Sequence, residues 1–167
     1  MFELEKTNRV AELISITKSD SGISGPVLAQ AHIELGQILG GQMQGFEPDD
    51  TTVVAMLRGG VFFAEGIYFA LGCKFQTYDP KHEDFIRPKT KNVILVDSVV
   101  NTGKTIIKIL DSDMYVACCV INENAVQLFE DRLYTVRVSK NAFVGTAVKK
   151  QTGNVGPDTT MRLFNQL

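Results

Sequence analysis

The sequence predicts an α/β domain: a doubly wound, mainly parallel five-stranded sheet flanked by helices. Three observations carry that expectation. Short apolar runs that read as strands recur along the chain, and helical patterns stand between most of them. One run, Val93, Ile94, Leu95 and Val96, is apolar at consecutive positions, as a strand buried on both faces has to be. Such alternation implies βαβ units and a parallel sheet.

Taken in order, a helix precedes the sheet, with Ser24 as its cap, Pro26 in its first turn, and Val27, Ala31, Leu35, Ile38 and Leu39 on one face. Gly40-Gly41 marks its end. Strands are expected over 53–57, 73–78, 93–96, 115–121 and 133–138, and helices over 62–71, 105–110 and 123–129. Asn122 suits the N-cap of the last helix. The whole chain, 1–167, reads as one domain, with a helical segment (1–45), a core sheet (51–140) and a tail (141–167). There is no internal repeat and no low-complexity tract.

Composition narrows the function classes. At 167 residues, with 44% hydrophobic and 22% charged residues, the chain is long enough to bury a core and is not of disordered type. A net charge of −2 offers no basic face for nucleic acid. Cys73 stands alone, and the adjacent Cys118 and Cys119 point to opposite faces of an expected strand, so buried thiols are expected rather than a disulfide or a zinc site. No apolar run reaches the length of a membrane span, and Glu3, Glu5 and Lys6 do not suit a signal peptide. A cytoplasmic location and small-molecule partners are therefore expected, with no nucleic acid and no membrane.

The chemistry concentrates in residues 93–105. The apolar run stops at an acid, Asp97, and a polar loop follows, closing with Asn101, Thr102, Gly103, Lys104 and Thr105 before a new helix. A strand, a small-residue loop and a helix start form the geometry that holds a phosphate, because unpaired amides and the positive helix end point into the loop. Asp97 would repel phosphate and instead suits sugar hydroxyls as their acceptor. Together they fit a sugar phosphate. The Walker A pattern ends in the same Gly-Lys-Thr, but its first Gly would fall at 98, where this chain has Ser98.

The run resembles the phosphoribosyl-pyrophosphate motif of the type I phosphoribosyltransferases. Two further segments extend the likeness from about Thr51 to Phe164. Thr52 to Leu57 followed by Arg58-Gly59-Gly60 is similar to that family's first core strand and pyrophosphate loop. Gly156, Pro157, Asp158, Thr159, Thr160, Met161, Arg162, Leu163 and Phe164 resemble the C-terminal segment of uracil phosphoribosyltransferases.

The resemblance implies a transferase that joins uracil to 5-phospho-α-D-ribose 1-diphosphate, giving UMP and pyrophosphate, with Mg²⁺ held by the ligand's own oxygens and waters. A metal site made of protein ligands alone is not expected. It also implies a homodimer. Asp97 would stabilise positive charge on the sugar, and Arg58 with Gly59 and Gly60 would grip pyrophosphate. Ser98 and Asn101 to Thr105 would hold the 5′-phosphate side, and Lys81 and Arg87, on a mobile loop over 78–89, would meet diphosphate oxygens on closure. Gly156 and Asp158 would contact the base, while Arg162, Leu163 and Phe164 would anchor the tail. Ser98, Asn101, Pro157 and Met161 depart from the family pattern. They keep open a phosphoribosyl-pyrophosphate-binding regulator without turnover; a hypoxanthine or guanine transferase is a third alternative, against which the neutral Asn101 weighs, since purine-specific members carry an Asp there.

Overall fold

The computed structural model describes residues 1–141, 144–153 and 155–167, with the backbone alone at Val144. Its centre is a six-stranded sheet in which every pairing is parallel. In chain order the elements are β1 (Phe2–Glu3), α1 (Asn8–Thr17), α2 (Pro26–Gln42), β2 (Thr51–Met56), α3 (Val61–Leu71), β3 (Lys74–Tyr78), β4 (Asn92–Val100), α4 (Lys104–Ile107) and β5 (Tyr115–Asn122). Then come α5 (Glu123–Val126), β6 (Leu133–Ser139), β7 (Val144–Thr146), β8 (Val155–Pro157) and α6 (Thr159–Leu163). The sheet order is β1-β6-β5-β4-β2-β3, and β7 with β8 forms a separate small ladder.

The expected five strands are present, and a sixth, the two-residue β1, adds to the outer edge of β6. From β2 the chain winds outward to β3, then returns past β2 to β4 and continues outward through β5 and β6. The direction of winding therefore reverses between β2 and β4. In open parallel sheets the crevice at such a reversal, beyond the carboxyl ends of the strands, is where ligands bind.

The double alternation of buried residues explains the two layers of helices. Val53, Ala55, Ile94, Val96, Ala117 and Cys119 pack on one face against Leu13, Leu35, Leu39, Phe63 and Ile67 of α1, α2 and α3. Val54, Met56, Val93, Leu95, Val116 and Cys118 pack on the other against Ile106, Ala125 and Phe129. Each fully buried side chain of this kind contributes about 2 kcal/mol. Cys118 and Cys119 thus do lie on opposite faces, both buried and both free thiols.

Several boundaries differ from the sequence expectation. Helix α1 begins at a Thr7 cap whose hydroxyl accepts from the Val10 amide, and the sequence reading does not anticipate this helix. The α2 helix is capped by Gly25 rather than Ser24, and it runs through Gly40 and Gly41 to Gln42. Gly36 and Gly40 of α2 serve packing instead of termination. A Cβ at Gly66 of α3 would lie 2.1 Å from the Ile33 carbonyl, and one at Gly36 would lie 2.3 Å from the Phe63 carbonyl. The two backbones are in direct contact there. Helices α4 and α5 are single turns, shorter than the expected spans. Most consequential, β4 does not stop before Asp97 but continues to Val100, because Asp97, Val99 and Val100 pair with Cys118, Val120 and Ile121 of β5.

Candidate active site

Register places the pieces. Ala55 pairs with Val96, so Asp97 stands level with Met56, the last residue of β2, and the 57–60 loop begins beside it. Gly60 is where that loop presses on β4. A Cβ there would lie 2.4 Å from the Val96 carbonyl and 2.8 Å from the Met56 carbonyl, so only glycine fits. The Ser98 hydroxyl donates to the Gly59 carbonyl at 2.6 Å and clamps the loop from the other side. The Leu57–Arg58 peptide is cis.

Asp97 sits in the corner so formed. Its Oδ1 accepts the Ser98 amide at 2.7 Å and lies 3.5 Å from where a Gly59 Cβ would be. The Thr160 hydroxyl of α6 approaches the same point to 2.9 Å. The carboxyl keeps some exposure, yet the surrounding strands desolvate it and push its pKa up to about 7, against the lowering effect of the Ser98 and Val99 amides. Among the described residues it forms no ion pair. A buried carboxyl with no cation beside it is suited to hydroxyl donors or to positive charge that arrives with a ligand.

The 101–105 turn begins one residue after β4 ends. Gly103 takes φ +68°, and a Cβ there would strike Phe129 at 2.9 Å and Leu128 at 3.0 Å. The backbone conformation and the packing beneath it both require glycine. Thr102, Lys104 and Thr105 are exposed, and Asn101 is half-buried. The first intrahelical bond of α4 runs from the Ile107 amide to the Gly103 carbonyl, so the amides before it precede the helical ladder.

Other expected residues are placed differently. Arg58 is exposed and turns to the tail, donating to Gln166 at 3.0 Å and lying 5.1 Å over the Phe164 ring. Lys81 is exposed on a turn built around Asp79, which accepts the Lys81 amide and the His82 ring. Arg87 is not at the Asp97 corner. Its guanidinium forks onto Asp111 and Asp113 at 2.7 to 2.9 Å, in the turn that leads into β5 at the amino side of the sheet. Two carboxylates two residues apart match its planar fork.

In the tail, Gly156 pairs with Gly145, and the Asp158 carboxylate caps α6 by accepting the Met161 amide at 2.9 Å. Both are therefore engaged in building the tail. Positions 142, 143 and 154 of the expected tail lie outside the described residues. Arg162 is 1% exposed and donates to the carbonyls of Thr17 and Ile23 and to the Ser21 hydroxyl, so it fixes α6 to the α1–α2 connection. Leu163 packs with Leu28 and Ala29.

A cavity of about 670 Å³ adjoins the corner, with Val99, Val100 and Asn101 of the β4 end and Thr159 of α6 in its wall. Asp97 does not line it, nor do residues 102–105. Its floor holds two residues the motif reading missed, His32 and Arg137. Burial, with the Arg162 and Arg137 charges, lowers His32 to about 4, although its bond to the Leu28 carbonyl acts the other way. The ring is neutral at ordinary pH. A signal for Arg137 was present in the sequence: one charge inside the otherwise apolar and hydroxyl-bearing strand 133–139.

Among the described residues no group of three or more His, Cys, Asp or Glu converges to hold a metal. Asp97 is the carboxylate of this corner. That donor set fits Mg²⁺, which keeps its waters and binds through substrate phosphates and one or two carboxylates. No helix among the described residues is long and apolar enough to cross a membrane.

No family model matches the chain, and no curated protein matches it. Its architecture does recur among solved structures. An Aquifex aeolicus protein, AQ2163, superposes with a TM-score of 0.64 at 16% identity, covering 81% of this chain and 86% of that one. The hypoxanthine phosphoribosyltransferase of Trypanosoma cruzi, solved with the product IMP, gives 0.53 at 13% identity, covering 70% and 76%. The hypoxanthine-guanine phosphoribosyltransferase of Bacillus anthracis gives 0.51 at 14%, covering 66% and 78%. The chain has the type I phosphoribosyltransferase fold.

Proposed function

We propose that this protein is a phosphoribosyltransferase, joining a nucleobase to 5-phospho-α-D-ribose 1-diphosphate and releasing pyrophosphate and a nucleoside 5′-monophosphate. One observation carries the reading. A desolvated carboxyl, Asp97, and a glycine-bearing turn, 101–105, lie four residues apart at the reversal point of the sheet, with the 57–60 loop pressed against the carboxyl. The chemistry of such a corner suits a sugar between two phosphate groups.

In this reading the 5′-phosphate lies at Asn101, Thr102, Gly103, Lys104 and Thr105, and the ribose hydroxyls donate to Asp97. The diphosphate lies at Gly59 and Gly60, with Arg58 swinging from Gln166 to meet it. The bond from ribose C1 to the diphosphate oxygen breaks as a bond from C1 to a base nitrogen forms. The electron pair leaves with pyrophosphate, and the base N–H proton passes to solvent. Asp97 is aligned to favour the positive charge that builds on the sugar, which is electrostatic catalysis with no protein nucleophile. Mg²⁺, when bound, neutralises diphosphate charge. Lys81 stays a diphosphate contact of a closing loop, whereas the ion pairs of Arg87 give it a structural role.

The resemblance of the tail favours uracil. The named substrates of the fold neighbours, with the tail's Asp158 engaged as a helix cap, favour hypoxanthine or guanine equally. A homodimer is proposed from the family resemblance. The test is a panel of uracil, hypoxanthine, guanine, adenine and orotate with the activated ribose and Mg²⁺, followed by pyrophosphate release. Release with at least one base supports the proposal. Saturable binding of the activated ribose with no release from any base supports the regulator instead, a reading favoured by Ser98, whose hydroxyl is committed to the Gly59 carbonyl.

A further inference from the structure

The 57–60 loop is held from two sides. On the sheet side the Ser98 hydroxyl donates to the Gly59 carbonyl. On the other side Gln166, Phe164 and Thr160 of the tail meet the loop and the start of α3. Gln166 Oε1 accepts from Arg58 at 3.0 Å, and the Arg58 guanidinium lies 5.1 Å over the Phe164 ring. That ring also stands 5.3 Å from the ring of Phe62.

Thr160 brings the tail to the Asp97 corner itself. Its hydroxyl oxygen lies 2.9 Å from the point a Gly59 Cβ would occupy, and Asp97 Oδ1 lies 3.5 Å from the same point. One side of Gly59 therefore faces a hydroxyl from α6 and the carboxyl from β4 together. The Thr160 side chain is half-buried, and among the described residues its hydroxyl forms no hydrogen bond. A threonine hydroxyl has one proton to give.

The helix that carries this donor is fixed in place. Arg162 is 1% exposed and donates to the carbonyls of Thr17 and Ile23 and to the Ser21 hydroxyl. The Gly25 amide donates to the Arg162 carbonyl at 2.7 Å, and Asp158 caps the first turn of α6. A donor two residues from Arg162 is thus positioned before a ligand arrives, and little ordering remains to oppose binding. Its neighbour Thr159 belongs to the wall of the 670 Å³ cavity, whereas Thr160 does not. The consecutive threonines of α6 serve different parts of the corner.

We infer that Thr160 is a diphosphate-binding residue, its hydroxyl donating to an oxygen of the diphosphate at Gly59 and Gly60. The inference rests on the proposed reaction and deepens it, giving the tail a contact with the leaving group. Diphosphate oxygens only accept, so a donor beside Gly59 suits them, whereas the ribose hydroxyls have Asp97 as their acceptor. Arg58 must leave Gln166 to reach the diphosphate; Thr160 already faces Gly59. When the bond from C1 to the diphosphate oxygen breaks, the electron pair passes to the leaving group, and a donor to it strengthens at that moment.

The test is equilibrium calorimetry on the full chain with two probes, pyrophosphate with Mg²⁺ and ribose 5-phosphate. Thr160→Val keeps the shape of the side chain and removes the hydroxyl. It should weaken pyrophosphate binding about tenfold or more, as loss of a hydrogen bond to a charged group does, and leave ribose 5-phosphate affinity unchanged. Thr160→Ser, which restores the hydroxyl, should bind pyrophosphate as the wild type does. Should the Val variant fail to fold, Thr160→Ala gives the same readout. Pyrophosphate affinity unmoved by loss of the hydroxyl, or both probes weakened alike, overturns this inference and leaves the proposed reaction standing. Failure of the wild type to bind either probe overturns both.

Discussion

Replacing Asp97 with Asn should make the protein more stable and less active at once, with a pH dependence that identifies the cause. Desolvation raises the carboxyl from its ordinary value of 3.8 to about 7. Below pH 3.8 the group is protonated whether the chain is folded or not, and it costs nothing. Between 3.8 and 7 the unfolded chain releases the proton while the folded one keeps it, so stability falls as pH rises. Above 7 both states are ionised and the full cost is present. At about 1.4 kcal/mol per pH unit that cost is about 4 kcal/mol. Asn keeps the oxygen that accepts the Ser98 amide but adds an NH₂ that lacks a designed acceptor, which offsets about 1–2 kcal/mol of the gain. Urea denaturation should therefore show D97N about 2–3 kcal/mol more stable than the wild type at pH 8 and about 1–2 kcal/mol less stable near pH 4, where the wild-type carboxyl costs nothing and the amide penalty remains. Turnover should fall by a factor of one hundred or so, in line with loss of a charge aimed at the reacting sugar. Equal stability at pH 8 would refute the argument that the carboxyl is desolvated, and unchanged turnover would refute its role.

Three further outcomes follow from packing and charge. Gly66→Ala should destabilise the fold by about 2–3 kcal/mol in urea, because its Cβ would enter the Ile33 carbonyl at the α2–α3 contact. Affinity for ribose 5-phosphate should be unchanged in the fraction that remains folded. Arg162→Leu should cost about 3 kcal/mol, since the carbonyls of Thr17 and Ile23 lose their donor, and limited proteolysis should then cut the tail first. Arg87→Gln should cost no more than about 1 kcal/mol, and that difference should shrink in high salt, because the Arg87–Asp111–Asp113 cluster is solvent-accessible.

Much of this was legible in the chain because burial writes itself into composition. The run at Val93 to Val96 is apolar on every position, and its strand is buried on both faces. The extension of β4 through Asp97 and Ser98 was not legible. Polar residues ordinarily end buried strands, and here the β5 pairing carries the strand past them. Gly40 and Gly41 suggested a helix end for a similar reason. The glycines of α2 that touch another backbone are read correctly only once α3 is known to cross there. Arg87 lay in a charge-rich loop, and nothing local told it apart from a ligand-binding residue; its partners, Asp111 and Asp113, are more than twenty positions away. Arg137 and His32 belong to no motif at all. They meet because α2 packs against β6 on one face of the sheet.

The central claim is that the turn after β4 and the acid within it hold a phosphorylated ribose. Its most direct test is a calorimetric titration of the wild-type chain with 5-phospho-α-D-ribose 1-diphosphate and Mg²⁺, repeated in the presence of ribose 5-phosphate and with Gly103→Val, whose side chain would collide with Phe129. Saturable one-to-one binding, competed by ribose 5-phosphate and lost in a folded Gly103 variant, is the predicted result. An absence of binding in the wild type, or binding indifferent to both the competitor and the substitution, contradicts the account.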